Sequence, residues 1–306
     1  MKELSTKGDV LVKQADFLIM DGSSILVRAF FASAYGRRLM QSTQGVYTNA
    51  VFGFLNMMIG ALERVRPRYA FVAWDVSRDT FRRELYSDYK GTRGELPDEL
   101  HPQFTTTQNV LEAIGIPQHF DERYEADDII GTLAHRASDE GHQVLILTGD
   151  RDALQLVRDN VTVAIMKRGI TEVDLYTPDT LREQYGLTPA QWIDLKGLMG
   201  DTSDNIPGVP GIGEKTALKL LAEYSSVEHL LENCHTVKGK LRDKLEAHRD
   251  LALLSKKLAT IVTDVPLSLT LEDCKLQLQL KRAAETLREL ELQRFLVPLE
   301  RLLQIG

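Results

Sequence analysis

The chain has 306 residues, twice the ~150 common for one domain, so two domains or one large α/β unit with an appended module are expected. Hydrophobic residues make up 43% and charged residues 26%, which excludes a disordered or collagen-like chain. Two cysteines exclude a disulfide framework, and no apolar stretch reaches the ~20 residues of a membrane span, so a cytoplasmic protein is expected. The net charge of −7 argues at first sight against nucleic-acid binding.

Four short runs of β-branched and aliphatic residues are predicted to be buried strands, and three of them end in aspartate. The predicted strands cover 17–21, 69–75, 144–150 and 161–166, and helical patterns separate them at 45–66, 97–114 and 126–140. This alternation predicts a doubly wound α/β domain, whose ligands bind beyond the carboxyl ends of the strands. Asp21, Asp75 and Asp150 stand at those ends.

The alternation of predicted strands and helices stops near residue 180, after which only helices are predicted. Thr177 and Thr188 are each followed by proline, which is typical of a capped helix start. Further helices are predicted at 189–199, 214–224, 226–233, 239–247 and 250–258. We therefore predict one domain over 1–184 and a helical domain over 185–306.

Nine carboxylates are concentrated in four short clusters. They are Asp21; Asp75; Glu125, Asp127 and Asp128 together with Asp150 and Asp152; and Asp201 with Asp204. Setting aside these nine negative charges turns −7 into +2, so an acidic pocket can be surrounded by a neutral to basic surface. Converging carboxylates favour hard cations, Mg²⁺ or Mn²⁺ rather than zinc, and paired ions are suited to phosphodiester hydrolysis. For Glu125 and Asp127 alone, favourable charge at a helix start explains the pattern equally well.

The glycine-rich segment at 208–216 comes close to a nucleotide-binding P-loop. Glu214 separates Gly213 from Lys215, which displaces the lysine and places an acid where phosphate would lie, so a P-loop is rejected. A tight hairpin between two helices is the better interpretation, and its backbone N–H groups could bind a DNA phosphate. A purely structural turn is the alternative.

Residues 78–93 combine five basic side chains with aromatic rings. The basic residues are Arg78, Arg82, Arg83, Lys90 and Arg93, and the aromatic ones are Phe81, Tyr86 and Tyr89. A solvated helix is the ordinary explanation of such a segment. Its position directly after Asp75 favours contact with single-stranded nucleic acid, which needs both phosphate contacts and stacking partners.

Seven motifs in fixed order resemble the 5′-nuclease domain of bacterial DNA polymerase I and the wider flap endonuclease superfamily. They are DGSS at 21–24 with Arg28, WD at 74–75, FR at 81–82 with YKGTR at 89–93, YEADD at 124–128, TGDRD at 148–152, LMGDTSDN at 198–205 and PGIGEKT at 210–216. The resemblance covers roughly residues 16–268. It implies a PIN-like parallel-sheet nuclease core, and a C-terminal helical module with a helix–three-turn–helix (helix-hairpin-helix-like) motif. The implied activity is metal-dependent 5′→3′ exonuclease and 5′-flap endonuclease action on DNA in replication and repair.

The resemblance also implies a role for each site residue. One metal ion would be held by Asp21, Asp75, Glu125, Asp127 and Asp128, and a second by Asp150, Asp152, Asp201 and Asp204. Lys90 and Arg82 would reach the scissile phosphate from a helical arch near 78–100. Further DNA contacts would come from Arg28, Tyr89, Arg93, Gly211, Gly213 and Lys215, with Tyr89 stacking on a base. The hairpin at 206–216 would hold duplex DNA, in the family often through a K⁺ ion.

Other functions are compatible with parts of this pattern. A PIN-type ribonuclease shares the acidic pocket but usually lacks the glycine hairpin, and a metal-dependent phosphatase of small molecules would leave 78–93 and the hairpin without a purpose. A non-catalytic binder of branched DNA does not need the complete carboxylate set. The helical tail at 281–304 favours a free-standing nuclease over a piece of a polymerase. The expected partner is DNA with a 5′ flap or 5′ end, or an RNA–DNA hybrid, bound by a monomer at the bacterial nucleoid.

Overall fold

The computed structural model describes residues 15–34 and 39–303, which form a six-stranded sheet covered by helices on both faces. The strands are β1 (Phe17–Asp21), β2 (Tyr69–Asp75), β3 (Gln118–Asp121), β4 (Val144–Thr148), β5 (Val161–Arg168) and β6 (Glu172–Tyr176). Their order across the sheet is β3-β2-β1-β4-β5-β6, with β6 antiparallel to β5 and all other pairs parallel. The mostly parallel α/β sheet confirms the predicted fold class.

Six helices accompany the sheet and seven follow it in the described residues. The first six are α1 (Gly22–Ala34), α2 (Asn49–Val65), α3 (Phe81–Leu85), α4 (His101–Ile114), α5 (Ala126–Asp139) and α6 (Pro178–Tyr185). The others are α7 (Pro189–Met199), α8 (Glu214–Tyr224), α9 (Val227–Glu232), α10 (Lys240–Ala247), α11 (Arg249–Ala259), α12 (Leu280–Glu289) and α13 (Leu296–Leu303). None of the described helices is long and apolar enough to cross a membrane.

The predicted strands form, and the differences from prediction lie mainly at the sheet edges. The strand predicted at 144–150 ends at Thr148, so Asp150 lies just beyond it. Two strands and one helix were not predicted, namely β3, β6 and α1. β3 and β6 are the two edge strands and have incompletely buried, partly polar sequences, which hides the strand pattern.

Two apolar layers cover the sheet. On one face α1, α2 and α4 pack with side chains such as Leu18 and Trp74, and on the other α5 joins the core of the helical module. Ala283, Leu287 and Leu299 of α12 and α13 belong to the first layer, so the last described helices return to the sheet domain. The predicted division into 1–184 and 185–306 stays a prediction. The packing of α12 and α13 places residues of the second range in the core of the first.

The change from β1 to α1 depends on a close backbone approach at Gly22. A Cβ there would come within 2.6 Å of the Val72 side chain and 2.9 Å of the Ala73 carbonyl oxygen. Glycine therefore lets the chain turn directly from strand into helix against β2. The turn leaves Asp21 at the carboxyl end of the central strand, 5% exposed.

Candidate active site

Aspartates lie at or just beyond the carboxyl ends of the central strands. Asp21 accepts hydrogen bonds from Thr148 Oγ1 at 2.7 Å and from the backbone N–H of Ser24 at 2.9 Å. Burial raises the pKa of Asp21 to about 7, and repulsion from Asp75 and Asp150 adds to the effect. Asp21 therefore shares one electrostatic environment with the aspartates of the two neighbouring strand ends.

Asp127, in the first turn of α5, joins this group. Asp75 Oδ1 accepts a hydrogen bond of 2.9 Å from the backbone N–H of Ala126, which links the start of α5 to the end of β2. Burial raises the pKa of Asp127 well above its usual value, and Asp150, Asp21 and Asp75 raise it further by repulsion. We call Asp21, Asp75, Asp127 and Asp150 the strand-end carboxylates.

A second acidic group contains a lysine that the sequence analysis did not identify. Asp150 Oδ1 accepts from the backbone N–H of Asp152 at 2.9 Å, at the start of the 3-10 helix Arg151–Leu156. Lys196 Nζ lies 2.7 Å from Asp152 Oδ1 and also pairs with Asp201 Oδ2. Burial raises the pKa of Asp152 to about 7 and Asp150 adds repulsion, although Lys196 acts in the opposite direction. A lysine one turn before an acidic loop was the available sequence signal.

Asp128 and Arg82 form a buried ion pair, and this revises both predicted roles. Each guanidinium Nη lies 2.7 Å from one oxygen of Asp128, which is fully buried. The carboxylate also accepts from the backbone N–H groups of Glu125 and Val262, so all of its ~four lone-pair sites are used. Asp128 is therefore a structural residue here rather than a free metal ligand.

Arg82 likewise has no donor left for a phosphate. Besides Asp128 it donates to the carbonyl oxygens of Leu258 at 2.9 Å and Thr260 at 2.8 Å and to Glu125 Oε2 at 3.3 Å. These contacts occupy all of its ~five N–H groups, and the residue is only 2% exposed. Arg82 connects α3 to α5 and to the end of α11, which replaces the predicted catalytic role by a structural one.

Only Phe81–Leu85 of the predicted helical arch near 78–100 is a helix, and the other site residues predicted there contact the acidic site directly. Lys90 Nζ donates to Glu125 Oε1 at 2.8 Å, and Arg93 Nη2 donates to Asp204 Oδ1 at 2.5 Å. The Tyr89 hydroxyl lies 3.0 Å from Glu125 Oε2 and 3.1 Å from Asp204 Oδ2. Because Tyr89 is only 4% exposed, its ring has no free face for a base in this structure. The stacking role predicted for Tyr89 is therefore not supported by its position.

Arg28 lies at the rim of the site. It is an exposed residue of α1, and its Nη2 donates to the Gly149 carbonyl oxygen at 2.9 Å, next to Asp150. A Cβ on Gly149 would meet the Arg28 guanidinium. The side chain is at the surface beside the acidic site, and its DNA contact stays a prediction.

The predicted hairpin connects α7 and α8 and is closely packed at its base. The backbone N–H of Val209 donates to the Leu198 carbonyl oxygen at 2.8 Å. Gly211 is exposed and has a φ of +78°, which favours glycine, whereas Gly213 is exposed with an ordinary φ of −98°. Lys215 is exposed in the first turn of α8. Backbone and lysine at this turn are thus open to a ligand.

The donor set fits a hard divalent cation. It consists of carboxylate oxygen atoms whose mutual repulsion, which adds to burial in raising the pKa values of Asp21 and Asp127, a metal ion would relieve. Within residues 15–34 and 39–303, no three His, Cys, Asp or Glu side chains are already arranged to hold such an ion. Lys196 and Lys90 lie between carboxylates instead, so binding an ion requires these side chains to rearrange.

Two family profiles match the chain in succession. The profile described as 5′-3′ exonuclease, N-terminal resolvase-like domain, matches residues 16–186, and that described as 5′-3′ exonuclease, C-terminal SAM fold, matches residues 187–282. DNA polymerase I of Bacillus caldotenax is 49% identical over 285 residues, which are 92% of this chain and 32% of that protein. DNA polymerase I of Bacillus subtilis (strain 168) is 47% identical over 268 residues, 87% of this chain and 30% of that protein. The chain spans about a third of the length of these curated relatives.

Solved structures share the fold. A flap endonuclease of bacteriophage T5, in complex with DNA and metal ions, superimposes with a TM-score of 0.67 at 20% identity and covers 94% of this chain and 98% of its own. The catalytic core of Rad2 in complex with DNA substrate gives a TM-score of 0.63 at 16% identity, with 95% and 94% covered. The N-terminal profile alone matches more than half of the residues and the C-terminal profile follows it without a gap. The chain belongs to the 5′-3′ exonuclease family.

Proposed function

We propose that the chain is a metal-dependent 5′→3′ exonuclease and 5′-flap endonuclease that hydrolyses phosphodiester bonds in DNA. The observation that carries the proposal is the convergence of the strand-end carboxylates, in which burial and repulsion raise the pKa values of Asp21 and Asp127. Membership of the 5′-3′ exonuclease family supports it. The structural neighbours are described as complexes with DNA, and one neighbour, a T5 5′-exonuclease, is described with bound zinc ions.

Two Mg²⁺ or Mn²⁺ ions are proposed, each held by one part of the acidic site. The first would be held by Asp21, Asp75, Glu125 and Asp127, and the second by Asp150, Asp152, Asp201 and Asp204. Asp128 is left out because its oxygens are already bonded to Arg82 and to backbone N–H groups. When bound, the ions would activate a water molecule and stabilise the departing oxygen, which leaves a 5′-phosphate and a 3′-hydroxyl.

The basic side chains near the acidic site would bind and orient the substrate. Lys90 and Arg93 have side chains 22% and 46% exposed, so each can exchange a carboxylate partner for a phosphate oxygen. Arg28 would add a phosphate contact beside Asp150. These cations offset the acidic site and let an overall acidic protein approach DNA.

The hairpin is proposed as a second contact, on the duplex side of the cleavage point. The exposed turn at Gly211 and Gly213 allows close approach of a phosphate backbone, and Lys215 adds a positive charge. A K⁺ ion at the hairpin would strengthen this contact. We further propose that the protein acts as a monomer, on DNA or RNA–DNA hybrids of the bacterial nucleoid.

The experiment that tests this function compares three labelled substrates that share one duplex. They carry a DNA 5′ flap, a DNA 3′ flap and an RNA 5′ flap. With Mg²⁺, the 5′ flap should be cut to a 5′-phosphorylated product, and EDTA should abolish cleavage while binding persists. Cleavage of the 3′ flap at the same rate would contradict the assigned polarity. Cleavage of the RNA flap alone would favour a PIN-type ribonuclease, and binding without cleavage under any divalent ion would favour a branched-DNA-binding protein.

A further inference from the structure

Lys196 lies between two carboxylates that the proposed function assigns to the second metal ion. Its Nζ is 2.7 Å from Asp152 Oδ1 and also pairs with Asp201 Oδ2. The side chains of Lys196, Asp152 and Asp201 are only 12%, 15% and 10% exposed, so solvent screens this bridge weakly. A lysine side chain is positively charged at neutral pH, so the bridge joins one ammonium group to two carboxylates.

The backbone holds Lys196 and Asp201 on the two sides of one corner. Lys196 is in the last turn of α7, where its carbonyl oxygen accepts from the backbone N–H of Gly200 at 2.8 Å. Asp201 and Ile206 exchange two backbone hydrogen bonds of 2.8 Å, which closes the following loop. Gly200 has a φ of +74°, and a Cβ there would meet the Ile206 carbonyl oxygen, so the corner has little freedom. The backbone therefore holds Lys196 in a fixed position beside Asp201.

An ammonium group and a divalent cation would compete at this position. Both bind carboxylate oxygens, and a positive charge left within a few ångströms of a metal ion would repel it. Ser203 already donates to Asp201 Oδ1 through its backbone N–H at 2.7 Å and its hydroxyl at 2.6 Å, so Oδ2, the oxygen paired with Lys196, is the one open to exchange. Metal binding at Asp152 and Asp201 thus requires Lys196 to leave.

We propose that Lys196 is a positioning residue that acts as an internal counter-cation. It holds Asp152 and Asp201 side by side in the metal-free protein and is displaced when the second divalent ion binds. This inference rests on the proposed function, because it takes the assignment of Asp152 and Asp201 to a metal ion from there. Competition from Lys196 would then lower the affinity of the protein for the second ion.

Lys256 supplies a matched control on a neighbouring helix. Its Nζ lies 2.6 Å from Asp194 Oδ1 and 2.6 Å from Glu228 Oε2, so it also bridges two carboxylates of the helical module. Neither of those carboxylates belongs to the proposed metal ligands. Substituting Lys256 removes the same charge and the same type of bridge away from the proposed ion.

The experiment is calorimetric titration of the full, metal-free chain with Mn²⁺ at one pH and ionic strength. Lys196→Met should tighten the weaker Mn²⁺ site by about tenfold, because a competing charge is lost. Lys196→Gln, which keeps a hydrogen-bond donor but no charge, should do the same and serves if the methionine variant does not fold. Lys196→Arg and Lys256→Met should leave both affinities within about twofold of the parent.

The outcomes separate this inference from the proposed function. In one outcome the parent protein binds two Mn²⁺ ions and cleaves DNA, while both uncharged Lys196 variants bind Mn²⁺ no more tightly than the parent. That result would overturn the counter-cation role alone. Parent protein that binds no Mn²⁺ would overturn the proposed metal site and this inference with it. An equal gain of affinity in Lys256→Met would show a general charge effect and would also overturn the inference.

Discussion

Asp127 and Asp128 are neighbours in the chain, but the structure gives them opposite environments. Asp128 is fully buried and bonded by Arg82 and two backbone N–H groups. Asp127 is also poorly exposed, yet burial and three other aspartates raise its pKa well above the usual value. The Asp128 carboxylate is stabilised by its local partners. The Asp127 carboxylate is destabilised by burial and repulsion, which an added cation or a proton would relieve. Burial alone therefore does not distinguish these two acids, whereas the hydrogen-bond partners of their oxygen atoms do.

The largest effect is expected at Asp127. Asp127→Asn removes a negative charge from the strand-end carboxylates without changing shape, so the metal-free protein should stay folded. Single-turnover cleavage of a 5′ flap should fall by on the order of 10³ or more, because a proposed metal ligand is lost. DNA binding in EDTA should persist or tighten. Wild-type cleavage in this variant would remove Asp127 from the proposed metal site.

The opposite pattern is expected at Asp128. Asp128→Asn leaves the buried guanidinium of Arg82 without its main partner, and breaking such a pair costs about 3–5 kcal/mol of unfolding free energy. Urea denaturation measures this loss, and the double variant Arg82→Met with Asp128→Leu should recover part of it, since an apolar pair avoids the uncompensated charge. An Asp128→Asn protein as stable as the parent but inactive would restore the metal-ligand role predicted from the sequence.

Lys90 tests whether the cations of the acidic site act in the reaction. Lys90→Ala should lower the single-turnover rate by about 10²–10³, because its charge would act on a phosphate as negative charge develops there. Lys167→Ala is the matched control, since Lys167 pairs with Asp174 at 2.7 Å on the β5–β6 edge. A change in the half-saturation point without a change in plateau rate would show that Lys90 serves only binding.

The smallest effect is a pH dependence of stability in the metal-free protein. The pKa of Asp21 is raised from 3.8 to about 7, so between these values the folded state binds more protons than the unfolded state. The unfolding free energy should therefore fall as pH rises from about 4 to about 7, by on the order of 3 kcal/mol from this residue. Asp21→Asn should make this decline shallower, and Asp127 and Asp152, whose pKa values are also raised, should retain part of it.

The comparison for this measurement is Asp79→Asn, since the Asp79 side chain is 86% exposed and should leave the profile unchanged. Denaturation is followed at each pH in EDTA. A parent profile that rises over the same window, or an Asp21→Asn profile identical to that of the parent, would contradict the raised pKa.

The sequence predicts the sheet and the placement of aspartates at its strand ends because both depend on local patterns. Buried strands ending in aspartate are visible in single segments, and the rule that ligands lie at strand carboxyl ends brings Asp21, Asp75 and Asp150 together. The predicted hairpin is also local, being a short glycine-rich segment. The starts predicted for α5, α7 and α8 agree with the structure for the same reason.

What the sequence could not predict depends on contacts between distant segments. Arg82 and Asp128 are 46 residues apart, and no local pattern distinguishes a guanidinium that binds phosphate from one paired inside the protein. The same holds for Lys196, which is 44 residues from Asp152. The roles of Arg82, Asp128 and Tyr89 were inferred from family motifs, and such motifs carry no information on which oxygen atoms are already bonded.

The anchoring of Arg82 also has a mechanical consequence for the chain that follows it. Residues 86–100 contain no helix or strand and run from α3, fixed by Arg82, to α4, packed on the sheet. Between these two ends, Tyr89, Lys90 and Arg93 hold the segment on Glu125 and Asp204. Both ends of the segment are thus fixed by packing and hydrogen bonds, and its middle is held by the carboxylates of the acidic site. A cation or phosphate that replaced the bonds of Glu125 and Asp204 would free the middle of the segment, while Arg82 would still hold its start.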